Sequence, residues 1–369
     1  METLFAWVLL VIPTVATGGL YLLLPQISRR GLLFGVYVGE EASGNDAARR
    51  LTRSWYRRMG AWLAASLGAG GLAALGSHSA AGSPVATLLM TAGFLVEYLR
   101  AYRQARGLAR EGAPPASAAI LGAEEPKPLL LPYLALGLGL AGGLFAVVYT
   151  WSHYDALPER VPTHFGFSGQ PDAWGPRSLP AVMLLPLLSL VLGIGLGGTA
   201  LLVSQAKRAV RHPDSGVSFE AQQRFRRVMG RFLATLAILV TGMMTSLLVS
   251  TIRAGLGESQ GISSLNLILA VGIVLYSLGG TLYIALRYGQ GGARLERAVA
   301  DRPLTDGLAD NRRWVLGMFY VNREDPSILV ENRFGLGYTL NFGNWKAVAL
   351  FVGFIGLLLG ITFAALLST

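Results

Sequence analysis

Residues 129–151 read LLLPYLALGLGLAGGLFAVVYTW. No charge interrupts the run, and its apolar residues surround a helix instead of marking one stripe. A helix of this length crosses a hydrocarbon core of about 30 Å. Seven more runs of this kind follow from the same criterion: 4–24, 60–77, 80–99, 179–203, 232–252, 265–286 and 347–367. The run at 60–77 is the least apolar, being rich in Gly and Ala. Only His78 and Ser79 separate it from the next, which predicts a tight helical hairpin.

The charges between the runs give an orientation. Of 31 Lys and Arg residues, 28 fall in alternate gaps, at 25–59, 100–128, 204–231 and 287–346. The other gaps hold only Arg160, Arg177 and Arg253. Positive residues are retained on the cytoplasmic side, so the pattern predicts eight spans with both termini extracytoplasmic. The fold class expected is an all-α polytopic membrane protein, a bundle of about eight transmembrane helices with a small cytoplasmic strand-containing module. Its expected linear parts are 1–128, three spans with basic cytoplasmic loops; 129–203, two spans and the outer loop between them; 204–286, two further spans; 287–346, the module; and 347–369, the last span.

Composition narrows the setting. The net charge of +10 lies beside the apolar runs, where it sets topology and meets anionic headgroups. The expected partner is therefore the lipid bilayer, with no direct nucleic acid. No cysteine is present, so disulfides and thiolate metal sites are excluded. Arginine outnumbers lysine 28 to 3 amid much Ala, Gly and Pro, which suggests GC-rich bacterial coding and a bacterial inner membrane. Glu2 is the only early charge and Arg29 and Arg30 follow the first run, so that run reads as an uncleaved anchor.

Small residues mark expected helix contacts: Gly139 with Gly143, Gly193 with Gly197, and Gly242, Ser246 and Ser250 along the sixth run. Pro186 is expected to kink the fifth. Tyr98, Trp7, Trp62, Tyr133, Trp151, Tyr288 and Trp345 stand near run ends as interfacial anchors. Residues 45–59 read as a basic helix capped by Asn45 or Asp46, and Ser218 as the cap of a helix through 219–231 that runs into the sixth span. Residues 111–128, with APPAS and EEPKP, read as a disordered linker. Residues 314–321 and 328–342 are rich in aromatic and β-branched side chains broken by NREDPS and RFGLG, the pattern of short strands and turns.

No Asp, Glu, Lys, Arg or His lies deep in any run; Glu97 and Lys346 are at ends. Ion-coupled transport and intramembrane proteolysis both use ionisable groups at depth, so the pattern weighs against them. No P-loop, H-E-x-x-H or G-x-S-x-G motif occurs. GLGLAGG at 137–143 sits within an apolar run, with no strand before it.

The loop 152–178 carries LPERVPTHFGFSGQPDAWGPRS at 157–178. Its prolines and glycines exclude a long helix and specify turns. It gathers Asp155, Glu159, Arg160, His164, Asp172 and Arg177 with Trp151, Phe165, Phe167 and Trp174, and polar groups among aromatics on a tethered loop can form a binding surface. His164 could hold a ligand carboxylate or, with His153 and Asp172, a metal; alternatively Thr163 and His164 hydrogen-bond within the loop and hold its turn. Arg160 and Asp172 could pair. No spacing matches a zinc site, and neither metal nor cofactor is expected.

The loop resembles the bacterial domain of unknown function 1648, which also begins the SdpI family of peptide-toxin immunity and signalling membrane proteins. The matching residues are Leu157, Pro158, Val161, Pro162, Thr163, His164, Phe165, Gly169, Pro171, Asp172, Trp174 and Gly175. Residues 32–42, LLFGVYVGEEA, look like a segment of longer relatives, and residues 314–344 look like the domain of unknown function 5808. The expectation is a non-enzymatic sensor or immunity-like protein. Pro162, Thr163, His164, Phe165, Asp172 and Trp174 would bind an extracellular peptide, and Tyr320, Asn322, Asp325, Asn341 and Asn344 would meet a cytoplasmic regulator. For the last five, turn chemistry is the competing reading, with Asn322, Asp325 and Pro326 in one turn and Gly335 and Gly337 in another. A transporter or its accessory subunit is the alternative; a membrane enzyme using His164 with Asp172 or Glu159 is the second.

Overall fold

Long apolar runs satisfy their own backbone polar groups by coiling, and eight long helices result among the described residues. The computed structural model describes residues 2–28, 31–76, 82–109, 129–166, 168–206, 216–296, 310–334 and 336–366. The helices are α1 (Glu2–Ile27), α2 (Asp46–Gly76), α3 (Gly82–Arg106), α4 (Leu130–His153), α5 (Leu179–Gln205), α6 (Gly216–Gly255), α7 (Ser264–Arg287) and α8 (Trp345–Leu366). Seven of them are long and apolar enough to cross a membrane; α2 falls short. Its second half is Gly- and Ala-rich and follows a basic first half without a break. The basic helix and the second run are therefore one helix of 31 residues. Asn45 does cap it, its side chain accepting from the Ala48 N–H at 2.9 Å. The expected cap Ser218 instead lies inside α6, which starts at Gly216. The turn at His78–Ser79, the linker 111–128, Phe167 and Gly335 lie outside the described residues.

The chain divides into two compact units. The first contains residues 1–123, 207–223 and 282–344. In it α2 and α3 run antiparallel, with Arg58 on Glu97 at 3.3 Å near one end and Ser66 on Met90 further along. Glu97 is buried and also takes Arg100 at 3.1 Å, which meets the cost of a covered carboxylate near the end of α3. An aromatic core of Phe34, Trp55, Tyr98 and Phe334 joins these helices to two hairpins. Tyr98 is thus a core residue and not a lipid-facing anchor.

The first hairpin pairs β1 (Leu32–Leu33) with β2 (Val36–Tyr37); another pairs β5 (Trp314–Val315) with β6 (Phe319–Tyr320). Both turn through an X-Gly pair with positive φ at each residue, Phe34-Gly35 and Leu316-Gly317, the requirement of a type I′ turn. The turns meet back to back. A Cβ on Gly35 would lie 2.6 Å from the Gly317 carbonyl oxygen, so only glycine allows the approach. Asn311 holds the Tyr37 backbone at both its N–H and C=O, each at 2.9 Å. Buried Arg333 stacks on Trp314 and donates to the Gly35 carbonyl at 3.2 Å and to Asn311 at 2.8 Å. A third hairpin, β7 (Leu329–Glu331) with β8 (Tyr338–Leu340), completes the strands expected between 314 and 342.

The second unit contains residues 124–206, 224–281 and 345–369. α4 and α5 pack antiparallel, glycine on glycine: Gly139 faces Gly193, Gly143 faces Leu190 and Gly197 faces Leu136. The small-residue spacing therefore does mark this contact. Gly242 departs from the expectation; it is exposed and a Cβ there would touch nothing. Ser250, on the same helix, accepts from the Asn266 side chain at 3.2 Å. Pro186 lies inside α5, which continues through it.

Candidate functional site

The loop between α4 and α5 is a β-hairpin. Three prolines and two glycines lie in or beside its strands, and they permit edges without further pairing partners. β3 (Arg160–Phe165) pairs antiparallel with β4 (Pro171–Pro176), with register shifts on either side of His164. Such irregularities re-aim a side chain. Gly169 takes φ 79° at the tip, and Gly166 and Gln170 close the turn at 2.9 Å. Across the strands the Thr163 methyl occupies the space a Cβ on Gly175 would need, at 2.8 Å.

A two-stranded hairpin alone is marginal in water, and this one is tied at both ends. At its root, Leu157 and Val161 are buried against Ile252 of α6. Arg177 donates to the carbonyls of Leu157 at 2.7 Å and Asp155 at 3.1 Å, and its guanidinium faces the Tyr154 ring. These carbonyls follow the end of α4, where the helix dipole favours a cation. At its tip, the Ile262 N–H donates to the Gly169 carbonyl at 2.8 Å, so the loop between α6 and α7 clips the turn. Neither Arg177's role nor the Ile262 contact was legible in the sequence; Gly261, whose backbone abuts the Gly169 carbonyl, is the local signal of the close approach.

His164 and Asp172 face each other across the strands, with Nδ1 and Oδ1 2.5 Å apart. The bond holds the imidazole against the carboxyl group of the facing strand. Both side chains are largely exposed, 69% and 51%, and an exposed pair of this kind is worth about 0–1 kcal/mol. Arg160 does not pair with Asp172; it donates to the Trp174 carbonyl at 3.0 Å. His153 stays on α4, its Nδ1 bonded to the Tyr149 carbonyl at 2.8 Å. Among the described residues no three His, Cys, Asp or Glu side chains are gathered as metal ligands.

Beneath the hairpin lies a cavity of about 400 Å³. Pro162, Thr163 and Phe165 of β3 roof it, Val182, Leu185 and Leu188 of α5 form one wall, and Leu247, Leu248 and Thr251 of α6 the other. Thr362 of α8 also lines it. Thr251 and Thr362 donate to the carbonyls of Leu247 and Leu358 in their own helices, each at 2.9 Å. Those hydroxyl protons are occupied, which leaves a mainly apolar interior suited to an apolar group. The hairpin thus separates the expected ligand residues. Pro162, Thr163 and Phe165 face the cavity, His164 and Asp172 form the exposed pair, and Trp174 is 44% exposed.

The five residues expected to meet a regulator form one network in the first unit. Asn341 is fully buried; its amide donates to the carbonyls of Asn322 and Asp325 at 2.9 Å and accepts from the Asn322 N–H at 3.0 Å. Asn322 donates to the Tyr320 hydroxyl, which donates to Asp325. Asn344 donates to the Pro326 carbonyl at 2.8 Å. These side chains hold the turn at 322–327. Gly337 makes its own turn, bonded both ways by the buried amide of Gln290.

These features define a multi-pass membrane protein with a structured loop between two of its helices and a small strand-containing module. Residues 142–190, which span the end of α4, the hairpin and the start of α5, match a domain of unknown function, DUF1648; residues 323–348 match a family of unknown function, DUF5808. No curated protein and no solved structure matches the chain.

Proposed function

We propose that this is a non-enzymatic membrane sensor or immunity-like protein of the bacterial inner membrane. In this reading the hairpin faces outward, both termini lie outside, and the cavity receives an apolar side chain of an extracellular peptide. The observation that carries it is the mainly apolar cavity roofed by the hairpin. At about 400 Å³ it falls in the range of about 300–1,000 Å³ typical of small-ligand sites. Trp174 and the exposed His164 ring add contacts for the peptide's polar groups at the rim. The signal would pass to the 310–344 module and from there to a cytoplasmic regulator.

The test is a deletion strain challenged with a panel of secreted antimicrobial peptides and complemented with variants. Leu185→Trp fills the cavity, and His164→Ala removes the exposed pair. Both are expected to insert normally and to lose the response of the parent protein. Unchanged sensitivity of the deletion strain across a broad panel sinks the reading, as does full complementation by a stably inserted Leu185→Trp. An enzyme using His164 is the second reading, favoured by the bonded His164–Asp172 pair, but neither residue lines the cavity. A transporter or accessory subunit would use the neutral polar side chains buried along the apolar runs of α4 to α7, Thr150, Ser189, Thr241, Ser250 and Asn266; Gln222 and Arg226, also buried, lie in the basic first part of α6.

A further inference from the structure

The β5–β6 hairpin has two unlike faces. Trp314 and Tyr320 are cross-strand partners and each is only 5% exposed. Val315 and Phe319 are the next partners and point the other way, because side chains alternate along a strand. Val321 continues their face, and Leu316 sits in the turn. These four apolar side chains are 40–52% exposed, where a hairpin in water would carry polar residues.

The position of this face relative to α3 is fixed by one hydrogen bond. The Tyr98 hydroxyl donates to the Leu316 carbonyl at 2.6 Å. Tyr98 lies near the end of α3, just after exposed Leu95 and Val96 and just before Arg100, Arg103 and Arg106. Exposed aliphatics followed by arginines mark the boundary between acyl chains and headgroups. Phe342 packs on the same face, its ring meeting Phe319 edge-on at 5.6 Å. Basic side chains flank the strip in sequence, with Arg312 90% exposed and Arg323 exposed.

We propose that the β5–β6 hairpin rests in the membrane interface on the arginine-rich side of the bilayer. Val315, Leu316, Phe319 and Val321 enter the region between headgroups and acyl chains, and Arg312 and Arg323 lie among anionic headgroups. The occupant of this apolar face is lipid and not a protein, since a strip tied at a span end has lipid as its nearest apolar medium. The inference is independent of the peptide-binding reading.

The absence of cysteine makes the test direct. Val315→Cys, Phe319→Cys and Val321→Cys, with Glu324→Cys as the exposed control, are labelled with an environment-sensitive fluorophore in vesicles of phosphatidylglycerol and phosphatidylcholine. Quenching by lipids carrying a nitroxide near the headgroup is expected to be at least threefold stronger at the three apolar positions than at Glu324→Cys. Aqueous iodide is expected to show the reverse order. In pure phosphatidylcholine the nitroxide quenching is expected to fall about twofold, and no change there removes the headgroup contacts from the proposal. Equal iodide quenching at all four positions overturns it. So does protection of the apolar positions from both quenchers, which would place a second protein surface on the strip.

Discussion

Replacing Gly193 with alanine tests the packing that positions the hairpin. The added Cβ would lie 2.7 Å from the Gly139 carbonyl oxygen and 2.9 Å from its Cα. Ordinary contact begins near 3.4 Å, so α4 and α5 must separate by roughly 0.7 Å at this point. Both partners are backbone, and no rotamer can relieve the clash. Overpacking of this kind costs about 1–3 kcal/mol, and a gap of 0.5–1 Å elsewhere along the pair forfeits roughly a quarter to a half of each dispersion contact. Against this, alanine gains up to about 1 kcal/mol of helix propensity over glycine. Gly198, on the same helix, isolates that gain, since a Cβ there meets nothing within 4 Å. Gly198→Ala is therefore expected to be neutral or stabilising, and Gly193→Ala to be less stable than it by about 1–3 kcal/mol. Thermal unfolding of the detergent-purified protein, followed by tryptophan fluorescence, measures the difference. It should appear as a lower midpoint, with earlier protease cleavage in 157–178, because the hairpin joins the ends of both helices. Equal midpoints for Gly193→Ala and Gly198→Ala would refute the backbone contact.

The root and the module allow two further checks. Arg177→Leu removes charge-assisted bonds worth about 1.5–3 kcal/mol, so cleavage within 157–178 should accelerate while the helices stay protected; His164→Ala, which breaks only an exposed pair, should accelerate it far less. Asp310 gives a pH dependence. Burial alone would raise its pKa, but hydrogen bonds from Arg312 and the charges of Arg312 and Arg313 outweigh this and hold the carboxyl below its ordinary value. A folded pKa below the unfolded one, about 3.9, contributes stability that is present above about pH 4 and lost as pH falls through the folded value. Hydrogen exchange of 310–344 should therefore quicken below about pH 4 in the parent chain, and Asp310→Asn should remove that part of the acid dependence; an unchanged profile would count against the pairing.

What the sequence by itself determined is what depends on neighbours along the chain. A run of apolar residues long enough for a bilayer needs no partner to be recognised, so the long helices were legible, and α2 was already the weakest span. Asn45 before a helical stretch, turn residues between 322 and 326, and glycines four apart on two runs each carry local chemistry with them. The structure decided what depends on residues far apart. Only strand register could show that His164 meets Asp172 and that Arg160 instead bonds a carbonyl. Only packing could join residues 32–38 to 310–344 through Gly35, Gly317 and Arg333, or build a cavity from β3, α5, α6 and α8. Ser218 and Gly242 were misread for the same reason: a helix start and a glycine face look alike in sequence whether or not a neighbouring element covers them. A cavity has no local signature, because it is the space that distant side chains leave between them.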